Sequence, residues 1–357
     1  MRHAVVTGGG TAGHVIPAIP VIELLQAQGW RVTFVGSDSG LEESLVAPLR
    51  VDYHSVKTGK LRRYFSGQNF IDAFRIPLGV WQAFRLLGHL KPDVVFSKGG
   101  FVSFPVVFAA WVRGIPVVAH ESDLTPGLAN RLATPFVTSF CVNFEPTVSA
   151  GIAGAKRVVV TGTPLRDVLT HGEAQRGLES MGFDGEKPVV VVTGGSLGAE
   201  RLNELVREAL GALCMRYDIM HVCGKGKLDQ RLDAWPGYRQ REFIGDGWGD
   251  VLAAADIVVS RAGANTLYEL IALRKPHLLI PLSAKVSRGD QIENAAFAAS
   301  RGFSSVVQES ALSSDELVRA IDAIACDLDG WRAKLEAFEV CDSVSLIVAE
   351  LQRAVSR

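Results

Sequence analysis

Cysteine is scarce in this 357-residue chain, and the five present (Cys141, Cys214, Cys223, Cys326 and Cys341) include no C-x-x-C pair and no companion histidine at zinc-finger spacing. That pattern excludes a disulfide framework and a structural zinc, and predicts reduced thiols scattered through the core. Long apolar runs are missing too. The longest nearly unbroken one, residues 101–112, is well short of the ~20 residues a spanning helix needs, so no segment is expected to cross a membrane. Gly8–Gly10 interrupts the N-terminus before a signal-peptide core could form, and the chain is expected to stay where it is made. Neither charge sign dominates, with 37 Lys+Arg against 38 Asp+Glu. At 48% hydrophobic and 21% charged residues, the composition excludes a disordered chain.

The length suits two domains of ordinary size rather than one core. Charge divides unevenly between them. Residues 1–160 hold 15 Lys+Arg against 10 Asp+Glu, a balance of +5, and the remainder holds 22 against 28, a balance of −6. The basic half suits an anionic partner or simply a solvated basic face.

The two halves open alike. A strand signal at His3–Thr7 runs into Gly8-Gly9-Gly10-Thr11-Ala12-Gly13-His14 and a helical pattern over Pro17–Gln28. The same plan returns with a strand at Pro188–Thr193, then Gly194-Gly195-Ser196-Leu197-Gly198-Ala199 and a helix through Leu210. Further strand signals at Arg31–Gly36, Asp93–Ser97, Pro116–His120, Arg157–Thr161, Asp256–Ser260 and His277–Pro281 alternate with helical stretches. Such alternation predicts an α/β protein of two doubly wound, Rossmann-like domains, parallel sheets with their ligand sites at the strand carboxyl ends, facing a cleft. The linker is expected near Gly162-Thr163-Pro164, and the final helix, Ser343–Val355, suits either half.

Gly8, Gly10 and Gly13 fit G-x-G-x-x-G after a strand, and Asp38 closes the next strand where a ribose-binding acid would sit. Taken alone, this admits a nicotinamide dehydrogenase, or a tight turn with no ligand. The loop physics specifies an anion, not which anion, because glycines admit close backbone approach and a helix start offers N–H donors. The second loop adds a hydroxyl at Ser196. A third, Ser260-Arg261-Ala262-Gly263-Ala264-Asn265-Thr266, precedes a helix carrying Glu269, whose carboxylate can accept both hydroxyls of a ribose. Two anion-binding turns in one domain suit a diphosphate. Arg166 could clamp a leaving phosphate or make an ordinary ion pair. Asp290 and Gln291, opening a later helix, suit sugar hydroxyls, although capping also explains Asp290.

His14 adjoins the first loop, where a neutral imidazole can serve as general base. Glu121 and Asp123 have the spacing of a metal-binding acid pair, as do Asp327 and Asp329; at the end of a strand, hydroxyl hydrogen bonding or support of the site is preferred for the first pair. Between Lys57 and Arg85, Lys57, Lys60, Arg62, Arg63, Arg75 and Arg85 interleave with Phe65, Phe70, Phe74, Trp81 and Phe84 against a single acid, Asp72. This mixture suits an anionic bilayer surface, with part of the aromatics on the inner face of a helix. Nothing indicates a nucleic-acid module.

In their order and spacing, Gly9–His14, Lys98–Ser103, His120-Glu121, Gly162–Arg166, Gly194–Ala199, Arg261–Ala264 and Asp290–Ala295 resemble the MurG family, the bacterial glycosyltransferases of peptidoglycan synthesis. The resemblance spans nearly the whole chain. It implies a GT-B fold and an inverting transfer of N-acetylglucosamine from UDP-N-acetylglucosamine to lipid I, giving lipid II for cell-wall biogenesis, and with it cell shape and division. Residues 1–162 would face acceptor and membrane, residues 163–339 would bind the UDP-sugar, and a helix within 340–357 would pack back on the first domain. The protein would sit peripherally on the cytoplasmic face of the inner membrane.

The family pattern assigns donor binding to Thr11, Ala12, Gly13, Arg166, Ser196, Ile244 by the uracil, Ala264, Asn265, Thr266, Leu267, Glu269, Asp290 and Gln291. His14 and Glu121 become the candidate catalytic groups. Gly100, Phe101 and Asp123 serve the acceptor, and Phe70, Phe74, Trp81, Arg62 and Arg63 the membrane. No cofactor is obligatory, and stimulation by a divalent metal is left open. Ala12, Leu197, Ser122-Asp123 and Asp290 depart from the Gly, Gln, Gln-Asn and Gln of many relatives; Leu197 cannot donate a side-chain hydrogen bond. A UDP-sugar epimerase of the same fold and a noncatalytic nucleotide-sugar-binding protein stand as alternatives.

Overall fold

The computed structural model describes residues 1–38, 40–59, 67–148, 152, 154–195, 199–284 and 289–356, with the side chains of 67–74 and 148 outside the description. The chain divides into two compact units, residues 1–166 with 341–357, and residues 167–340.

The first unit is built on a parallel sheet of seven strands: β1 (His3–Thr7), β2 (Arg31–Ser37), β3 (Asp52–Val56), β4 (Val94–Ser97), β5 (Val117–Glu121), β6 (Ser139–Val142) and β7 (Val158–Val160), in the order β3-β2-β1-β4-β5-β6-β7. The second unit has six parallel strands: β8 (Val189–Thr193), β9 (Asp218–Val222), β10 (Tyr238–Arg241), β11 (Ile257–Ser260), β12 (His277–Leu279) and β13 (Ser305–Val306), in the order β10-β9-β8-β11-β12-β13.

Valine-rich runs form these strands because a parallel sheet covered on both faces rewards β-branched side chains at every position. Alternate residues serve opposite faces. In β1, Ala4 and Val6 join one core with Ile22, Leu25 and Phe34, while Val5 joins another with Val95, Val106 and Leu87. In the second unit, Val190 and Val192 pack with Leu202, Leu205 and Ile321, and Val189 and Val191 with Met220, Leu252 and Leu270.

The helix Ser343–Val355 returns to the first unit. Asp342 caps it by accepting from Ser345 N–H at 3.1 Å, and Ile347, Val348, Leu351 and Ala354 complete the core around Ile22 and Leu25. Burying each of the Ile, Val and Leu side chains contributes roughly 1.5–3 kcal/mol. Glu350, nearly buried, accepts from Arg157 on one side and Arg353 on the other.

The thiols correct one expectation. Cys141, Cys214 and Cys223 are buried, but Cys326 is exposed and Cys341 half-buried, because Cys326 caps the helix Ser314–Ala325 and Cys341 lies in the connection before Ser343–Val355, both outside the sheet cores.

Candidate functional site

Strand order reverses between β1 and β4 in the first unit and between β8 and β11 in the second. The loops after those four strands flank the switch points, where open α/β sheets take ligands. They are Gly8–His14 and Lys98–Ser103 in the first unit, and Gly194–Ala199 and Arg261–Thr266 in the second.

The two pairs are built differently. In the first unit the glycines make room for protein. A Cβ on Gly8 would lie 2.6 Å from His14 O, one on Gly9 2.2 Å from Glu42 Oε1, and one on Gly100 2.1 Å from Gly9 O. Gly10, at φ +88°, packs under the Phe101 ring, and its N–H donates to Glu42 Oε1 at 2.7 Å. Glu42 is wholly buried and also accepts from Ser37 Oγ at 3.1 Å. An internal carboxylate thus takes the N–H that a dinucleotide pyrophosphate would seek. Asp38, the expected ribose acid, is hydrogen-bonded to Lys57, whose ammonium holds its carboxyl below the usual range.

This loop does not lead straight into an α-helix. Single 3₁₀ turns at Ala12–His14 and Ile16–Ala18 precede the helix Ile19–Ala27, later than the expected start at Pro17, because Pro17 and Pro20 have no N–H to give. Thr11 is exposed and precedes the first turn; its Oγ1 lies 2.8 Å from His14 Nδ1. Ala12 is half-buried and Gly13 exposed.

Beside this loop, the end of β5 carries a buried network. Glu121 accepts from Asp123 N–H at 3.0 Å through Oε1, and from Gly127 N–H at 2.9 Å and Asn130 Nδ2 at 3.0 Å through Oε2. Both of its oxygens therefore organise the 122–127 loop. Gly99 and Gly100, at φ +89° and +81°, bring the β4 loop against Asn130 and Gly9. Asp123 is half-buried, as is Phe101. Arg166, also half-buried, ends the segment after β7 with its Nε buried and unpartnered among the described residues.

In the second unit three loop glycines meet nothing among the described residues. A Cβ on Gly195 (φ +82°), Gly263 or Gly289 (φ +87°) would meet no described atom within 4 Å. Gly263 caps the helix Ala264–Ala272 in extended conformation, and the first N–H groups of that helix have no partner within it. Asn294, to which the sequence pattern assigns no role, is completely buried and donates from Nδ2 to Ala262 O at 3.1 Å, fastening the third loop to the helix Asp290–Ser300. Arg261 is likewise a strut, donating to Ile280 O at 3.1 Å and Glu309 Oε1 at 2.6 Å. The only sequence signals for these two were their places in the Arg261–Ala264 and Asp290–Ala295 segments.

Asn265, Thr266 and Glu269 are half-buried on the helix Ala264–Ala272, and Ala264 is nearly buried at its start. Leu267 stands apart from them, since its side chain is fully buried and its N–H bonds Gly263 O at 2.9 Å; it holds the helix and offers a ligand no donor. Gln291 Oε1 accepts from Leu282 N–H at 3.1 Å, and Asp290 opens the same helix. Ile244 is half-buried, packed with Trp248 on the Val251–Leu252 core. Ser196 lies outside the described residues. Asp327 caps the helix Leu328–Glu336 by accepting from Gly330 N–H at 3.0 Å.

The aromatic segment begins a broad surface. On the helix Gly67–Leu90, Trp81 is 53% exposed, with Leu78 and Phe84 also exposed, while Ala83 and Leu87 face the core. Neighbouring helices extend it with Trp111 and Val112 on Ser103–Val112, and Leu128 and Leu132 on Leu128–Ala133. Arg75, Arg85, Arg113 and Arg131 are exposed on these three helices or just past them. Arg62 and Arg63, and the side chains of Phe70 and Phe74, lie outside the described residues. No helix among the described residues is long and apolar enough to cross a membrane.

Comparison with known proteins accords with this architecture. Residues 4–142 match the glycosyltransferase family 28 N-terminal domain, and residues 189–330 match the family's C-terminal domain. A protein of Legionella pneumophila (strain Paris) described as UDP-N-acetylglucosamine--N-acetylmuramyl-(pentapeptide) pyrophosphoryl-undecaprenol N-acetylglucosamine transferase is 49% identical over 348 residues, spanning 97% of this chain and 95% of its own. A protein of Geobacillus thermodenitrificans (strain NG80-2) with the same description is 46% identical over 352 residues, spanning 98% of each. The crystal structure of Acinetobacter baumannii MurG superposes with a TM-score of 0.78 at 26% identity, covering 99% of this chain and 100% of that one.

Proposed function

The chain belongs to glycosyltransferase family 28, and from that membership and its loop geometry we infer that it moves N-acetylglucosamine from UDP-N-acetylglucosamine to lipid I, giving lipid II. The observation that carries the division of labour is the contrast between glycines. Gly8, Gly9 and Gly10 of the first unit are backed by His14, Glu42 and Phe101, whereas no described atom lies within 4 Å of where a Cβ on Gly195 or Gly263 would stand.

The donor therefore belongs to the second unit. The N-terminus of the helix Ala264–Ala272 and the loop after β8 take the diphosphate, Glu269 the ribose, Ile244 the uracil face, and Gln291 the sugar hydroxyls. Arg166 is assigned to the departing diphosphate, whose charge its guanidinium stabilises.

The acceptor belongs to the first unit, with His14 as base. If Nε2 is to take the muramyl 4-hydroxyl proton, Nδ1 must carry the ring hydrogen and donate it to Thr11 Oγ1, 2.8 Å away. Thr11 then sets the tautomer, a role distinct from donor binding. The 4-oxygen bonds to the anomeric carbon as the carbon–phosphate oxygen bond breaks on the opposite face, giving inversion, and UDP leaves with the electron pair. Glu121, whose oxygens are engaged within its own loop, is assigned to positioning rather than to proton transfer.

The exposed Trp81, Phe84, Trp111 and Leu128 surface with its arginines suits insertion at an anionic bilayer and supports a peripheral seat on the cytoplasmic face, where a lipid-borne acceptor would be met. The test is incubation with labelled UDP-N-acetylglucosamine and a lipid I analogue. Expected are equimolar UDP and a lipid-linked disaccharide. A converted sugar from donor alone would establish an epimerase, and tight donor binding without turnover a nucleotide-sugar-binding protein.

A further inference from the structure

A buried lysine beside the first glycine loop has no part in the mechanism above. Lys98 follows β4 directly and is 2% exposed; its N–H donates to Thr7 O at 2.8 Å, so the backbone is pinned to β1 at the switch point. Its ammonium reaches inward to the end of β5, with Nζ 2.6 Å from Ser122 Oγ and 2.9 Å from His120 Nδ1. His120, wholly buried, has its Nε2 2.9 Å from Gly162 O. That carbonyl can only accept, so Nε2 carries the ring hydrogen and Nδ1 accepts from Lys98. Burial and the Lys98 charge together hold His120 neutral.

The consequence falls on Ser122. A hydroxyl has one hydrogen, and an ammonium can only donate. Because Ser122 Oγ accepts from Lys98, its own hydrogen must be directed to a different acceptor. Ser122 is half-buried, on the loop that Glu121 holds and next to Asp123.

We propose that Lys98 is a positioning residue for the acceptor substrate: from its buried seat it fixes the Ser122 hydroxyl as a hydrogen-bond donor to an oxygen of the acceptor head group. This rests on the first unit taking the acceptor.

Ionic form matters to the device, because a neutral amine can accept from Ser122 and release the constraint. The groups facing Lys98 are Glu121 and Asp123 from β5 and its loop, His120, and Cys141 of β6. Burial lowers the Lys98 pKa to about 8, against the opposing pull of Glu121, Asp123 and Cys141. Lys98 is therefore charged below that pH, and the donor geometry is lost above it.

Steady-state kinetics on the full-length enzyme with UDP-N-acetylglucosamine and a water-soluble lipid I analogue test the proposal. Lys98→Met and Ser122→Ala should each raise the acceptor KM about tenfold, the effect of one hydrogen bond to a charged group, with the donor KM unchanged. Ser122→Thr should restore it, and the double variant Lys98→Met/Ser122→Ala should be no worse than either alone. The acceptor KM of the parent enzyme should climb above about pH 8, and that climb should vanish in Ser122→Ala. Additive effects, or an unmoved acceptor KM in Ser122→Ala, would overturn the role of Lys98 while leaving the acceptor in the first unit. A rise in donor KM alone would instead refute that assignment of the units, and the inference with it.

Discussion

Replacing Thr11 with valine removes the hydroxyl 2.8 Å from His14 Nδ1 and keeps the β-branched shape. Thr11 makes no side-chain cap bond to the following turn, so the change is confined to its contact with the imidazole. A neutral hydrogen bond of this kind is worth about 0.5–1.5 kcal/mol, which corresponds to a fall in kcat of roughly 2- to 13-fold if it sets the tautomer in which Nε2 accepts. His14→Ala should cost far more, on the order of 10²–10⁴ in kcat, because the base itself is lost. The assay is UDP release at saturating acceptor over a range of donor concentrations. In the His14→Ala background, Thr11→Val should do nothing further, since there is no ring left to orient. If Thr11 instead holds the donor, its replacement raises the donor KM, and that rise persists without His14. His14→Ala within about twofold of the parent kcat would remove His14 as base and Thr11 as its orienter.

Glu350 gives a pH signature in stability. Burial alone would raise its pKa, but hydrogen bonds from Arg353, Arg157 and Ser139 outweigh this and bring it to about 2, against an ordinary 4.5. A depressed folded pKa means that the stabilisation is fully present above pH 4.5 and disappears as pH falls toward 2. Because the arginines are partly exposed, its size is on the order of 1–3 kcal/mol. Denaturant titrations of Glu350→Gln should show a deficit at pH 7 that closes on acidification; a deficit constant with pH contradicts the ion-pair account. For the exposed face, Leu78→Ser, Trp81→Ser and Trp111→Ser together should weaken co-sedimentation with anionic vesicles at least tenfold while sparing transfer to a water-soluble acceptor. Undiminished vesicle binding would refute that surface. Gly263 sits at φ −66° with no described atom near a new Cβ, so Gly263→Ala should leave the thermal midpoint alone and raise the donor KM. Gly9→Ala, whose Cβ would lie 2.2 Å from Glu42 Oε1, should lower the midpoint; the reverse pattern would exchange the roles of the two loops.

Where strands are continuous apolar runs, the sequence is close to sufficient. His3–Thr7 and Ser343–Val355 coincide with a strand and a helix, and the strand signals at Arg31, Asp93, Pro116, Pro188 and Asp256 fall within a residue of β2, β4, β5, β8 and β11. The strand signals do not include β3 (Asp52–Val56), β10 (Tyr238–Arg241) or β13 (Ser305–Val306), all at sheet edges with polar or very short sequences. They also omit β6 (Ser139–Val142) and β9 (Asp218–Val222), interior strands that open on a polar residue and are recognisable only once paired. The weakly patterned stretch His171–Glu186 holds a helix, Ala174–Met181, whose Gly177 leaves room for the backbone of Asp250.

The glycine loops mark the limit of local reading most clearly. Gly8–Gly13 and Gly194–Gly198 are alike as glycine-rich turns after a strand, and both predict an anion near a strand end. What separates them is Glu42, 32 residues beyond Gly10, in a sequence that resembles a solvated helix start. Once buried beneath the loop, its carboxylate occupies the Gly10 N–H. A phosphate placed about 4 Å from it would meet a repulsion of roughly 4 kcal/mol per unit charge pair at a dielectric near 20, more than a helix start returns. The Gly10 N–H is therefore a poor seat for a diphosphate, the nucleotide's or the acceptor's, despite lying in the better G-x-G-x-x-G. A motif of backbone donors specifies an anion site only when the protein has not already supplied the anion, and the fold, not the spacing, determines that.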